Sequence, residues 1–398
     1  MILNEHFLNL SDTDAAALIE KRISDFQFAN PDTVILRLDT EDAPLPFADC
    51  VAQAMAQAME QVKEDPSLRG VPPINGYPFL IQAVKDYYQA RQIPLFDTEI
   101  FINDGAKCDI SGVLDLLAKD NTALITEPFN PLYYNANLAA GRVIRFLPAE
   151  EEHGFLPRPD DGDADIIYLC SPNNPTGAVY TRELLEKWVS FALERGALIL
   201  FDASYEAFIT DQRYPRSIYQ IEGARKCAIE ICSLSKAAGF ANSRLGYTVI
   251  PNNLIVDNTR LNQLWIRRQR LRFNGVSYIV QKGAQAAFSP KGQQAVQAQA
   301  AYYRDNAQLL TDALAKAGLC APTVCQSPNV WMKCPQGMSS WECFHYLLEK
   351  LGIVAIPGSI FGSYGENHMK LTGYATRENV RAAAGRLETL ASQQGETT

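Results

Sequence analysis

The sequence predicts an α/β protein with a large domain, built on a mostly parallel sheet flanked by helices, and a smaller α+β domain. Three observations lead there. Short apolar runs recur at residues 123–126 (A-L-I-T), 143–146 (V-I-R-F), 165–170 (D-I-I-Y-L-C), 197–201 (A-L-I-L-F) and 227–232 (C-A-I-E-I-C), with amphipathic helical stretches between them. That alternation is the pattern of a parallel sheet covered on both faces. Beyond Gln281 the texture changes to one long helical stretch, rich in alanine and glutamine, that reaches about Ala317. At 398 residues the chain is also too long for a single small core. The expected division is a large domain over residues 46–282 and a small one formed by residues 1–45 and 283–398.

In chain order, residues Asp14 to Phe28 read as a helix and Val34 to Leu38 (V-I-L-R-L) as a strand, with Pro44 and Pro46 marking a turn. Phe47 to Val62 carries apolar residues at spacings of three and four and is expected to be helical. A Gly/Pro-rich loop, Arg69 to Tyr77, leads into the alternating region. A mixed segment from Val324 to Tyr374 and a final helix near Arg377 to Ala391 complete the small domain.

Composition narrows the function. With 47% hydrophobic and 20% charged residues the chain is globular. Its net charge of −9 argues against nucleic acid, and no apolar run approaches a bilayer's width. Nine cysteines without C-x-x-C spacing suggest reduced thiols, and the four histidines show no metal-ligand spacing. No export signal is visible, so the expected location is the cytoplasm.

The chemistry gathers around Ser233 to Gly246, S-L-S-K-A-A-G-F-A-N-S-R-L-G, which reads as a loop between two strands. Lys236, among small residues, is placed to be desolvated, as an imine-forming amine must be. Arg244, with Ser233 and Ser235 as hydroxyl donors, suits a phosphate. A phosphorylated aldehyde, pyridoxal phosphate, satisfies all of these groups together. A loop lysine and arginine are equally satisfied by water, so the rest of the chain has to decide.

Asn103 to Asp109, N-D-G-A-K-C-D, places Gly105, Ala106 and Lys107 at a turn feeding a helix, whose free N–H groups suit a phosphate, although N-D-G is also a plain turn. C-S-P-N-N-P-T-G ends an apolar strand, and its prolines fix the direction of Asn174, whose amide is able to donate to a phenolic oxygen, although the string is equally an Asn/Pro turn with no chemistry. A-L-I-L-F-D-A-S-Y-E places Asp202 and Tyr205 past another strand, the first to pair with a protonated pyridine nitrogen and the second to approach the ring oxygen. Asp202 is otherwise an ordinary helix cap.

These strings together resemble the class I/II pyridoxal-phosphate aminotransferases, of the aspartate aminotransferase-like fold, and most closely the LL-diaminopimelate aminotransferase branch. G-Y-P-F-L at Gly76 to Leu80 and R-F-N-G-V-S at Arg272 to Ser277 extend the likeness to about Val380. The resemblance implies that Lys236 is the Schiff-base lysine and proton carrier, that Asp202 pairs with the pyridine nitrogen, and that Asn174 and Tyr205 meet the ring oxygen. Gly105, Ala106, Lys107, Ser233, Ser235 and Arg244 are then the phosphate cup. Asn274 resembles a residue that crosses a dimer interface beside the substrate, which implies a homodimer. The partners implied are a small-molecule amino donor, amino acid or amine, and an oxo acid.

The substrate side departs from the family. Lys370, in H-M-K-L-T-G, stands where relatives carry a carboxylate-binding arginine, and Asp39 stands where they carry a glycine. A forked guanidinium and an ammonium are not equivalent. Asp39 and Lys370 are therefore expected to pair with each other across the substrate site. Val71 aligns with a tyrosine that reaches the neighbouring subunit's phosphate, Asp14 with an aromatic that touches substrate, and Asn130 with the aromatic that stacks on the ring, leaving Phe129, Tyr133 or Tyr134 to supply the stack. Lyase or racemase chemistry uses the same cofactor groups, and a non-catalytic cofactor-binding regulator is the remaining alternative.

Overall fold

The structure, a computed structural model, describes residues 1–10, 15–321, 326–335 and 337–394. Asp14 and Val324 lie outside the described residues. Strand β1 (Leu36–Arg37) comes first in the chain and belongs to the smaller unit. Seven strands then form the main sheet: β2 (Ile100–Asn103), β3 (Ala123–Glu127), β4 (Ile144–Pro148), β5 (Ile166–Cys170), β6 (Leu198–Asp202), β7 (Ala228–Ser233) and β8 (Gly246–Val249). Their spatial order is β2-β8-β7-β6-β5-β3-β4. β4, β3, β5, β6 and β7 run parallel, whereas β8 is antiparallel to both β7 and β2.

Period two divides each central strand between two cores. Leu124, Ile167, Leu169, Ile199 and Phe201 face one; Ala123, Ile125, Ile166, Tyr168, Leu198 and Leu200 face the other. Burial on both faces explains why these strands read as unbroken apolar runs. At the edge, β4 is only partly buried and reads less clearly.

Helices α1 (Ala15–Ala29), α2 (Asp49–Glu64), α3 (Pro78–Gln89), α4 (Ala106–Gly112), α5 (Pro131–Ala139), α6 (Arg182–Arg195), α7 (Leu261–Arg272), α8 (Tyr278–Phe288) and α9 (Pro290–Lys316) follow the chain. α6 shows how their ends are set. Thr181 caps its first turn by accepting from Leu184 N at 3.2 Å, and Gly196 ends it at φ 68°, a conformation cheap only for glycine. The single helical stretch expected from Gln281 to Ala317 is two helices instead. Pro290 has no N–H for an interior turn and is tolerated only at a helix start, which Ser289 caps by accepting from Gly292 N at 3.1 Å.

After the short ribbon β9 (Ile255–Val256) and β10 (Thr259–Arg260), the smaller unit holds β11 (Asn329–Lys333), β12 (Ile353–Val354), β13 (Ile356–Pro357) and β14 (His368–Thr372), with helices α10 (Ser340–Leu351) and α11 (Arg377–Gln394). β1 pairs in parallel with β12, and β11, β14 and β13 form an antiparallel sheet. Leu38 extends the β1 pairing and joins the two small sheets: its N–H donates to Val354 O at 2.9 Å and its C=O accepts from Thr372 N at 2.9 Å. α9 runs through both units. Val296, Ala300 and Tyr303 pack in the main core, and Ala307, Leu310, Ala313 and Leu314 in the smaller one. Among the described residues no helix is long and apolar enough to cross a membrane.

Candidate active site

Strand register assembles one end of the site. Cys170 is level with Asp202, and Asp202 with Ile231; Ser233 and Asn103 are both level with Gly246. The segments that follow β5, β6 and β7 therefore emerge together with the turn after β2 and the residues before β8, where open α/β sheets collect ligands. They carry Asn174; Asp202 and Tyr205; Ser233, Ser235 and Lys236; Gly105; and Arg244, in that order.

Local bonds fix each group. Asn173 accepts from Thr176 N at 3.1 Å and donates its own N–H to Ala178 O at 2.8 Å, closing the turn that presents Asn174. Asp202 is buried and caps no helix; it accepts from Ser204 N at 2.9 Å and from the Tyr133 hydroxyl at 2.6 Å. Ser233 Oγ accepts from Ser235 N at 3.1 Å, and Tyr374 OH donates to the Lys236 carbonyl at 3.0 Å, so the start of the loop is tied up to the lysine itself. At the turn after β2, Asn103 Oδ1 accepts from Gly105 N at 2.9 Å. Gly105 has φ 115°, and a Cβ there would lie 2.3 Å from Arg244 Nη2, so the arginine rests directly on the turn that opens α4.

At the other end stands a residue the sequence reading did not single out. Glu41 is the hub of four side chains. Its Oε2 accepts from Lys236 Nζ and from Tyr205 OH at 2.8 Å; its Oε1 accepts from Lys370 Nζ and from Asn174 Nδ2 at 3.1 Å. Lys370 also donates to Asn174 Oδ1 at 2.8 Å. Burial would push the Glu41 carboxyl up, but the Lys236 and Lys370 ammonium groups reverse this and hold it well below the usual carboxylate range. Burial lowers the Lys370 ammonium, against the opposing pull of Glu41. Burial also raises the Tyr205 phenol, and the Glu41 charge raises it further.

This corrects the expected pair of Asp39 with Lys370. Asp39 accepts from Arg37 Nε and Nη2, each at 2.7 Å, and Arg37 also reaches Glu20. The reason is the extended backbone beyond β1, in which residues two apart share a face. Leu36 and Leu38 are buried, while Arg37 and Asp39 are neighbours on the opposite face. The guanidinium fork takes the nearer carboxylate, and Glu41 reaches Lys370. The signal was present as R-L-D-T-E, an arginine and two acids at alternate positions.

A cavity of ≈ 1110 Å³ opens against this wall, bordered by Arg37, Asp39, Glu41, Asn174 and Lys370. Phe129, Tyr134 and Phe146 also line it and form an aromatic cluster, with Phe129 stacked on Phe146 at 5.4 Å between centroids. Of the three candidates for ring stacking, Tyr133 is committed elsewhere: it stacks on Tyr168 at 4.9 Å and donates to Asp202. Asn130 caps α5 through Leu132 N at 3.1 Å. Val71, Lys107, Arg244 and Asn274 are exposed, and Asn274 does not join the cluster around Lys236.

A profile of the family described as aminotransferase class I and II matches residues 33–387. The chain belongs to this family. Within it, the chain is 41% identical over 405 residues to LL-diaminopimelate aminotransferase of Prochlorococcus marinus, covering 98% of this chain and 99% of the relative. It is 40% identical over 402 residues to the protein of that name from Parabacteroides distasonis, covering 97% and 98%. The structure of L,L-diaminopimelate aminotransferase from Chlamydomonas reinhardtii superposes with a TM-score of 0.93 at 33% identity, covering 98% of each chain. The fold is the aspartate aminotransferase-like one expected, and the protein is a pyridoxal-phosphate-dependent aminotransferase acting on small-molecule amino and oxo compounds. The donor set suits that cofactor: an amine at Lys236, a buried carboxylate at Asp202, and an arginine packed on a glycine turn at a helix start.

Proposed function

We propose that Lys236 holds the cofactor covalently, that Asp202 keeps the pyridine nitrogen protonated, and that Asn174 and Tyr205 donate to the ring oxygen. Ser233, Ser235 and Arg244, with the backbone around Gly105, Ala106 and Lys107, would hold the phosphate. When bound, pyridoxal phosphate supplies an electron sink that acidifies the donor's amine-bearing carbon. Lys236 Nζ would then take the proton from that carbon and pass it on within the same half of the exchange, and would carry a proton the opposite way in the other half. The observation that carries this reading is the register that brings Asp202, Lys236 and Arg244 to one end of the sheet.

The arrangement around Glu41 divides the labour between its oxygens. Oε2 must give up Lys236 and Tyr205 when these groups hold the cofactor, while Oε1 keeps Lys370. We further propose a cytoplasmic homodimer in which Asn274 meets the partner's site, a large domain over 46–282, and a small domain over 1–45 and 283–398 joined to it through α9. Borohydride treatment of the holoenzyme followed by peptide mass spectrometry tests the central assignment. The cofactor mass is expected on the peptide that contains Lys236, and its recovery on any other lysine overturns the reading.

A further inference from the structure

The amine that reacts must bring its carbon to Lys236 Nζ, and any carboxylate on that carbon must then find a cation within a few ångström. Lys370 is the cation that stands there, bridged to Lys236 by a single carboxylate. Its side chain is 1% exposed and is held by Glu41 and Asn174 together. Arg37, the other cation on the cavity wall, is taken by Asp39 and Glu20. Among the described cavity-lining residues, both cations are thus already paired with carboxylates of the chain itself. The lining also holds Glu20, Asp39, Glu41, Asp42 and Glu127 against only Arg37 and Lys370. A donor carboxylate entering this space meets acidic groups and would have to displace Glu41 from Lys370, the ammonium partner left to it once Lys236 holds the cofactor.

We propose that Glu41 determines substrate specificity by occupying the carboxylate position itself, so that the carbon bearing the transferred amino group carries no carboxylate. The donor is a primary amine, favoured when a second ammonium can meet the surplus acids of the cavity wall. Both halves of the exchange use one site, so the constraint falls equally on the acceptor: an oxo acid must carry its carboxylate away from the reacting carbonyl. In the balanced exchange, R–CH2–NH2 and R′–CHO become R–CHO and R′–CH2–NH2. The donor carbon is oxidised by two electrons and the acceptor carbon reduced by two, so no outside oxidant enters.

This inference rests on the residue roles proposed above, and its test separates the two. In the first arm, the holoenzyme is titrated calorimetrically with glutarate, which carries carboxylates and no amine. The native protein is expected to bind it about 10- to 100-fold more weakly than Glu41→Gly, the span of one charge-assisted bond gained or lost. Glu41→Gln, which keeps the volume and loses the charge, is expected between them. Equal binding by native protein and both variants overturns the proposal. In the second arm, cofactor absorbance is followed on adding 1,4-diaminobutane, L-alanine or L-glutamate. The diamine is expected to convert the native enzyme and the amino acids to convert Glu41→Gly, a reversal of about 10- to 100-fold in their ratio. Conversion of the native enzyme by alanine or glutamate at least as fast as by the diamine also overturns the proposal. If no donor converts either protein, the roles given to Lys236 and Asp202 fail, while the glutarate arm still decides the role of Glu41.

Discussion

The two ends of the site handle buried charge in opposite ways. At the cofactor end, on α4, Asp109 is buried with neutral donors, Asn103 Nδ2 at 2.7 Å and Thr248 Oγ1 at 2.6 Å. Burial pushes its carboxyl up to about 6, against the pull of those two hydrogen bonds. At the substrate end, Glu41 bonds two ammonium groups and its carboxyl is driven the other way. A carboxylate tolerated without a contacting cation belongs to scaffolding; one that draws two lysines together sets the charge a ligand will meet. The difference is which partners the backbone brings within reach, because burial raises both groups.

The largest effect separates the ends by chemistry. Lys236→Ala is expected to reduce turnover by roughly 10⁴-fold, read as kcat, while glutarate binding, governed by Lys370, changes much less. Next comes the Lys370 side chain. Lys370→Met strands part of a buried carboxylate and is expected to cost about 3–5 kcal/mol in denaturant unfolding, with most of the loss recovered in the double variant Lys370→Met/Glu41→Met. Failure of the double variant to recover would show that Lys370 contributes through packing alone.

pH sharpens the contrast. Asp109 has a folded value raised to about 6, above that of an unfolded carboxyl, so it costs nothing in strong acid and costs progressively more as pH rises through 6. Asp109→Asn is expected to stabilise the protein by on the order of 2 kcal/mol at pH 8, with the gain vanishing near pH 4. Glu41 has a depressed folded value. Its contribution is present above the unfolded carboxyl value, about 4.3, and is lost as pH falls below it. Glu41→Gln should flatten that acid limb. The smallest effect belongs to the partly buried pair of Arg37 and Asp39 beside the cavity. Asp39→Ala is expected to cost about 1 kcal/mol or less, because Arg37 keeps Glu20.

That Asn174, Asp202 and Lys236 come together was legible in sequence because strand ends carry them. Asp202, Asn174 and Lys236 each follow an apolar run, and a strand's register leaves little freedom in where its last residue points. The substrate end was harder, since β1 has two residues and the acids Asp39, Glu41 and Asp42 crowd within four positions. Assigning the lysine's partner there requires the face on which each side chain lies. Tyr133 was legible only as one aromatic among several, because its bond to Asp202 joins residues 69 apart in sequence. The break at Ser289–Pro290 was written in the residues themselves but lay inside an alanine-rich stretch whose helical signal masked it.

Helix α9 has one consequence for how the molecule melts. Its 27 residues, about 40 Å of continuous helix, are anchored in both cores. Asn306 Nδ2 donates to Gly373 O and Ala375 O at 2.9 Å each, and Tyr303 OH accepts from Leu45 N at 3.2 Å. Neither core can loosen without releasing a beam the other shares. Heat capacity measured through denaturation should therefore show one peak, and damage to either core should move the whole of it.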